Sequence, residues 1–218
     1  MKNGLRWTVC LTGAAACSLL FTTVAMSQQS QDKPAEGARQ MSPEEQKAMA
    51  AWEAYMTPGE HHKHLAQWVG EWDLKVVMWQ APGMPPSESK ATSSAKAMMD
   101  GRFVVEKVKG EFSMEEGAPP MQFEGMALMG YDNHKKKYFS HWLDNMGTGC
   151  MTEWGTCSGD GKVLTTEGET YNPMAGGVVK TKSVATIVND NTRKLQMWGP
   201  GPDGKMFQSM EITYTRKK

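Results

Sequence analysis

From Gly70 to the C-terminus, apolar residues recur in short runs with a period near two, and clusters of turn-forming residues separate the runs. Ten runs are predicted strands: 71–79, 89–99, 102–112, 122–131, 138–144, 149–158, 162–171, 178–188, 193–199 and 205–216. The punctuation between them is explicit, as in Asp100-Gly101, Asp132-Asn133, Gly159-Asp160-Gly161 and Pro202-Asp203-Gly204. No helix-length insertion separates the runs, which excludes βαβ units. Consecutive strands joined by tight turns form an antiparallel meander, and closing it removes both exposed edges. The expected fold is therefore all-β with short N-terminal helices: an up-and-down barrel of about ten antiparallel strands.

Alternation assigns faces. Trp72, Leu74, Val76 and Met78 share one side of the first run, and Met206, Met210, Ile212 and Tyr214 one side of the last. Glu106, Glu124, His141, Asp144, Glu153 and Glu167 interrupt otherwise apolar or aromatic runs. Some are expected to face inward, because a barrel of this size holds a cavity whose polar walls can be hydrated or liganded.

Upstream the period changes to that of helices. Ser42-Pro43-Glu44-Glu45 reads as a capping box with Pro in the first turn, starting a helix within 42–57 that carries Met49, Trp52, Tyr55 and Met56. Thr57-Pro58-Gly59-Glu60 restarts the signal for a short helix to about Trp68, presenting Leu65 and Trp68 to the interior. Residues 28–41 are polar and patternless, and are expected to form a disordered linker. Residues 1–27 combine basic Lys2 and Arg6, an apolar stretch, and Ala25-Met26-Ser27 as a cleavage-like site. They predict a secretory signal peptide, and so an exported protein, periplasmic or secreted, with no stable membrane insertion after cleavage.

Composition narrows the options. The 218 residues carry 24 basic and 24 acidic side chains, so no basic field exists to draw nucleic acid. Loss of the leader removes Lys2, Arg6, Cys10 and Cys17, and leaves Cys150 and Cys157. Seven residues of strand span roughly 23 Å, and a disulfide needs Cα atoms within about 7 Å. The two thiols are therefore expected to be free, or at most linked between molecules.

Gly70-Glu71-Trp72 after a short helix, with Arg216 closing the last strand, resembles the G-x-W start and terminal basic residue of calycins, the lipocalin and fatty-acid-binding barrels. That resemblance implies Trp72 lying across the closed end with Arg216 packed on its ring. A longer series of blocks includes Pro58-Gly59-Glu60-His61-His62-Lys63, Val69-Gly70-Glu71-Trp72, Gly130-Tyr131-Asp132-Asn133 and Met210-Glu211-Ile212-Thr213-Tyr214-Thr215-Arg216. In this order they resemble the bacterial family "domain of unknown function fifteen seventy-nine". The resemblance spans about 58–218 and implies one β-rich calycin-like domain, often exported, with no assigned catalytic residues.

Candidate chemistry is sparse. His61 and His64 lie one helical turn apart, near enough to clamp a metal if another element supplies a third ligand. The competing reading is a solvated helix face. His141, with Asp144, Glu106 and Glu153, offers an acid/base set inside the barrel, or an axial ligand for a metal or haem. Nineteen Met could carry Cu(I), but close pairs are few, so they read as adaptable core or pocket lining. Gly199-Pro200-Gly201-Pro202-Asp203-Gly204 matches a dinucleotide fingerprint only formally, since no helix can start there. No motif implies a cofactor. The leading expectation is a barrel binding a small hydrophobic or amphipathic molecule against Trp72, Met78, Val105, Met129, His141, Trp142, Trp154 and Met197. An enzyme on the same barrel, and a metal- or haem-binding barrel, are the alternatives.

Overall fold

The computed structural model describes residues 40–113 and 119–218. The expected signal peptide and nearly all of the linker lie outside them. Helices α1 (Pro43–Met56) and α2 (Glu60–Ala66) precede ten strands. These are β1 (Gly70–Met78), β2 (Ser87–Met98), β3 (Phe103–Phe112), β4 (Met121–Asp132) and β5 (Lys137–Asp144). They continue as β6 (Met151–Cys157), β7 (Val163–Asn172), β8 (Gly177–Asn189), β9 (Thr192–Pro200) and β10 (Met206–Arg216). Each strand pairs antiparallel with its neighbours in the chain, and β10 closes on β1. Strand ends fall within two residues of those the sequence pattern indicates.

The capping box of α1 forms as the sequence dictates: Ser42 Oγ accepts from Glu45 N–H and Glu45 Oε2 accepts from Ser42 N–H. No residue of α1 is buried. Its C-terminal end is tied to the barrel instead. Asn133 donates to the carbonyls of Ala54, Tyr55 and Thr57, and Arg102 to that of Met56. Helix α2 buries Leu65, with Trp68 just beyond its end, under the closed end of the barrel. No helix among the described residues is long and apolar enough to cross a membrane.

One assigned face is corrected. The register of β10 against β9 slips between Gln208 and Met210. An inserted residue inverts the alternation, so Met206 falls out of phase with Met210, Ile212 and Tyr214, and is exposed. Cys150 and Cys157 are free, at opposite ends of β6.

Candidate functional site

The closed end is built around Trp72, which has no exposed surface. Its Cα is in register with that of Arg216 across the β1–β10 seam. The Arg216 guanidinium carbon stands 4.0 Å from the indole centroid, and that of Arg193 stands 3.8 Å away. Two guanidinium groups this close cannot share one face, so the ring is sandwiched between them. Arg216 also donates to the carbonyls of Val69 and Asp190, fixing the chain on both sides of the seam. Gly70 makes room for this arrangement. Its φ of 144° disfavours any side chain, and a Cβ there would collide with Arg216 Nη1. That is the physical content of the G-x-W spacing.

Arg193, from β9, escaped the sequence reading. It is 3% exposed and also lies 4.8 Å from the Trp68 ring centroid. Burial pushes its pKa down to about 9, with the charge of Arg216 adding to the effect and that of Glu106 opposing it. It remains a cation at neutral pH. An Arg between Thr192 and Lys194, just after the Asn189-Asp190-Asn191 turn, reads as a solvated strand end, so only the barrel's closure reveals its place.

Above this floor lies a cavity of about 450 Å³. Trp68, Leu74, Val76, Met129, Trp142 and Leu195 are among the apolar side chains of its wall. Four carboxyl residues, Glu106, Glu111, Asp144 and Glu153, also line it. Glu106 accepts a short hydrogen bond from Ser93. Both oxygens of Glu153 are held, one by Thr181 and one by Thr166, each at 2.7 Å. Asp144 accepts from Trp142 Nε1 at 2.7 Å and from Met146 N–H at 3.0 Å. Burial pushes the Glu106 carboxyl above its usual range, against the Ser93 hydrogen bond and the charge of Arg193.

A carboxyl raised in the folded state stabilises the fold when protonated. That contribution is complete below the unfolded value near 4.5 and is lost as pH rises through the folded value. Glu106→Gln should therefore match the parent in stability at acid pH and exceed it increasingly toward neutrality. Urea midpoints measured across that range check this; a variant less stable at neutral than at acid pH, relative to the parent, contradicts it.

The expected site residues divide by strand parity. Met78, Met129, Trp142 and Met197 line the cavity, as do Glu106, Asp144 and Glu153. Trp72 lies below it in the floor. Val105, His141 and Trp154 are corrections: they alternate with the inward Glu106, Trp142 and Glu153, so they face the outside of the barrel. There His141 meets Thr152 at 2.9 Å, and Lys135 stacks 3.8 Å from the Trp154 ring. Glu124 and Glu167 also face outward, Glu124 pairing with Lys109 at 2.7 Å. The acid/base set centred on His141 is thus not assembled, and among the described residues no imidazole or thiol lines the cavity.

The histidine pair on α2 is also accounted for otherwise. His61 Nδ1 and His64 Nδ1 each lie 3.0 Å from the buried Tyr138 hydroxyl. A phenol has one proton, so it donates to one imidazole and accepts from the other. His61 stacks on Tyr131, and His62 Nδ1 accepts from Gly59 N–H at the helix start. Among the described residues no three His, Cys, Asp or Glu are grouped to hold a metal. The His61–His64 spacing that suggested a clamp serves instead to fasten α2 over the barrel's end.

Comparison with known proteins agrees with this architecture. The family model described as a protein of unknown function (DUF1579) matches residues 57–216, and the chain belongs to that family. Helix α1 lies outside the match but for its final cap at Thr57. The crystal structure of Rv2717c from M. tuberculosis is similar with a TM-score of 0.53 at 12% identity, covering 74% of this chain and 100% of that one. A redesigned β-barrel, b11L5F_LGL, is similar at 13% identity with a TM-score of 0.35, covering 72% of this chain and 96% of that one. No curated protein matches.

Proposed function

We propose that this chain is an exported binding protein whose barrel takes a small apolar or amphipathic molecule. The observation that carries the reading is the cavity itself: about 450 Å³ of space inside a closed barrel, walled mainly by aliphatic, aromatic and methionine side chains. Close packing normally leaves few voids larger than a water molecule in a protein interior, and small-molecule sites lie in the range of about 300–1,000 Å³ with mostly apolar walls. The carboxyl groups of Glu106, Glu153 and Asp144 suit a ligand with a hydrogen-bond donor at one end and an apolar body. Export is supported by the basic start, apolar stretch and small-residue site of residues 1–27.

Titration with the uncharged fluorescent probe Nile red tests the binding reading. Saturable binding at one probe per chain is expected. Ala127 is 5% exposed and faces the cavity, so Ala127→Phe projects a phenyl ring into that space and obstructs it. The variant should stay folded and lose probe binding by at least about tenfold, a change of roughly 1.4 kcal/mol. Binding that does not saturate, or that Ala127→Phe leaves unchanged in a folded protein, contradicts an interior site.

A further inference from the structure

We propose that the open end of the barrel carries a Cu(I) site formed by the thioethers of Met78, Met197 and Met210. Met78 on β1 is in register with Met210 on β10, and Met210 with Met197 on β9. All three line the cavity. They therefore occupy successive cross-strand positions at one level of the wall, where directly opposed Cβ atoms stand about 4.5–5.5 Å apart. A barrel wall is concave inward, so side chains from adjacent strands converge. Methionine has three rotatable bonds, which lets each sulfur turn toward a common point without backbone movement.

Met210 lies after the slip in β10, and unbroken alternation through Ile212 and Tyr214 keeps it inward beside Met197. A row of Leu would give the same apolar wall; methionine adds a soft, neutral donor at each position. Thioethers select Cu(I) over harder divalent cations, and three neutral donors in an apolar wall favour the monovalent ion. The three residues are separated by long stretches of chain, so no short methionine repeat announces them. The site does not depend on which organic molecule occupies the deeper interior.

The test uses the purified protein with Cys150→Ser and Cys157→Ser, and with Cys10→Ser and Cys17→Ser wherever the first 27 residues are retained, so that no thiol binds metal. It is titrated anaerobically with Cu(I) against bicinchoninate, whose Cu(I) complex is coloured. One Cu(I) per chain should be withdrawn from the dye. Met210→Leu, which nearly conserves volume, should weaken withdrawal by roughly tenfold or more. Met129→Leu, deeper in the same cavity, should leave it unchanged. If Met210→Leu lowers the melting temperature, Met78→Leu at the end of β1 gives the same reading. No withdrawal by the serine protein, or equal withdrawal by both leucine variants, overturns the site. Nile red saturation on the same samples reports the organic-ligand reading separately, and either result can fail alone.

Discussion

Trp72→Ala is expected to cost about 3–5 kcal/mol of stability, the range for deleting a large buried aromatic. Three effects combine at this position. The ring is fully buried, so its removal leaves a void in the floor of the barrel. Both flanking guanidinium groups lose the π-face they stack on. Neither can relax freely, because Arg216 is held to the carbonyls of Val69 and Asp190 and Arg193 is enclosed. Arg216→Ala should cost less, about 1–2 kcal/mol, since a stacking contact is lost without a large void. The two losses should not add, because each substitution removes the same contact. Urea denaturation of the two single variants and the double variant measures the coupling. Strict additivity would show that the stacked geometry contributes nothing to closure.

Arg193→Met should also be costly, about 2–4 kcal/mol near neutral pH, at about 2 kcal/mol for each of the two desolvated cation–π contacts it removes. The replacement keeps length and apolar bulk but removes the cation that rests on Trp68 and Trp72. It also withdraws the charge that offsets Glu106, whose carboxyl burial already disfavours ionisation. The Glu106 pKa should rise further, and stability should fall more steeply as pH increases. Combining Arg193→Met with Glu106→Gln also removes the carboxylate that Arg193 would leave uncompensated, so it costs less than removing Arg193 alone. Recovery of a large part of the loss in the double variant is the expected outcome of denaturation at neutral pH. A double variant as unstable as the sum of the singles would mean that Arg193 and Glu106 do not feel one another.

What the sequence revealed, and what it withheld, follows from the range of each signal. Strand number and order were legible because each run carries its own alternation and its own turn. Gly70, Trp72 and Arg216 were legible because spacing and position imply their contact once the barrel closes. Face assignments survived wherever alternation was unbroken, as at Leu74, Val76 and Met78. They failed at Met206, where one inserted residue reverses the phase and leaves no mark in composition. They failed also at Val105, His141 and Trp154, where apolar or aromatic residues occupy both faces of a strand. Parity there is decided by the inward neighbours Val104, Glu106, Trp142 and Glu153, and a polar Glu on the inner face defeats a rule that sends charge outward. Arg193 and the methionine row are products of pairing between strands, and no local pattern encodes them.

Native mass spectrometry of the protein isolated without denaturation from its own host tests the central claim most directly, alongside Ala127→Phe prepared in the same way. The account predicts a one-to-one adduct of a small organic molecule on the parent protein, released on unfolding and missing from the obstructed variant. A parent protein that carries no adduct and also fails to take up Nile red would contradict an interior binding site.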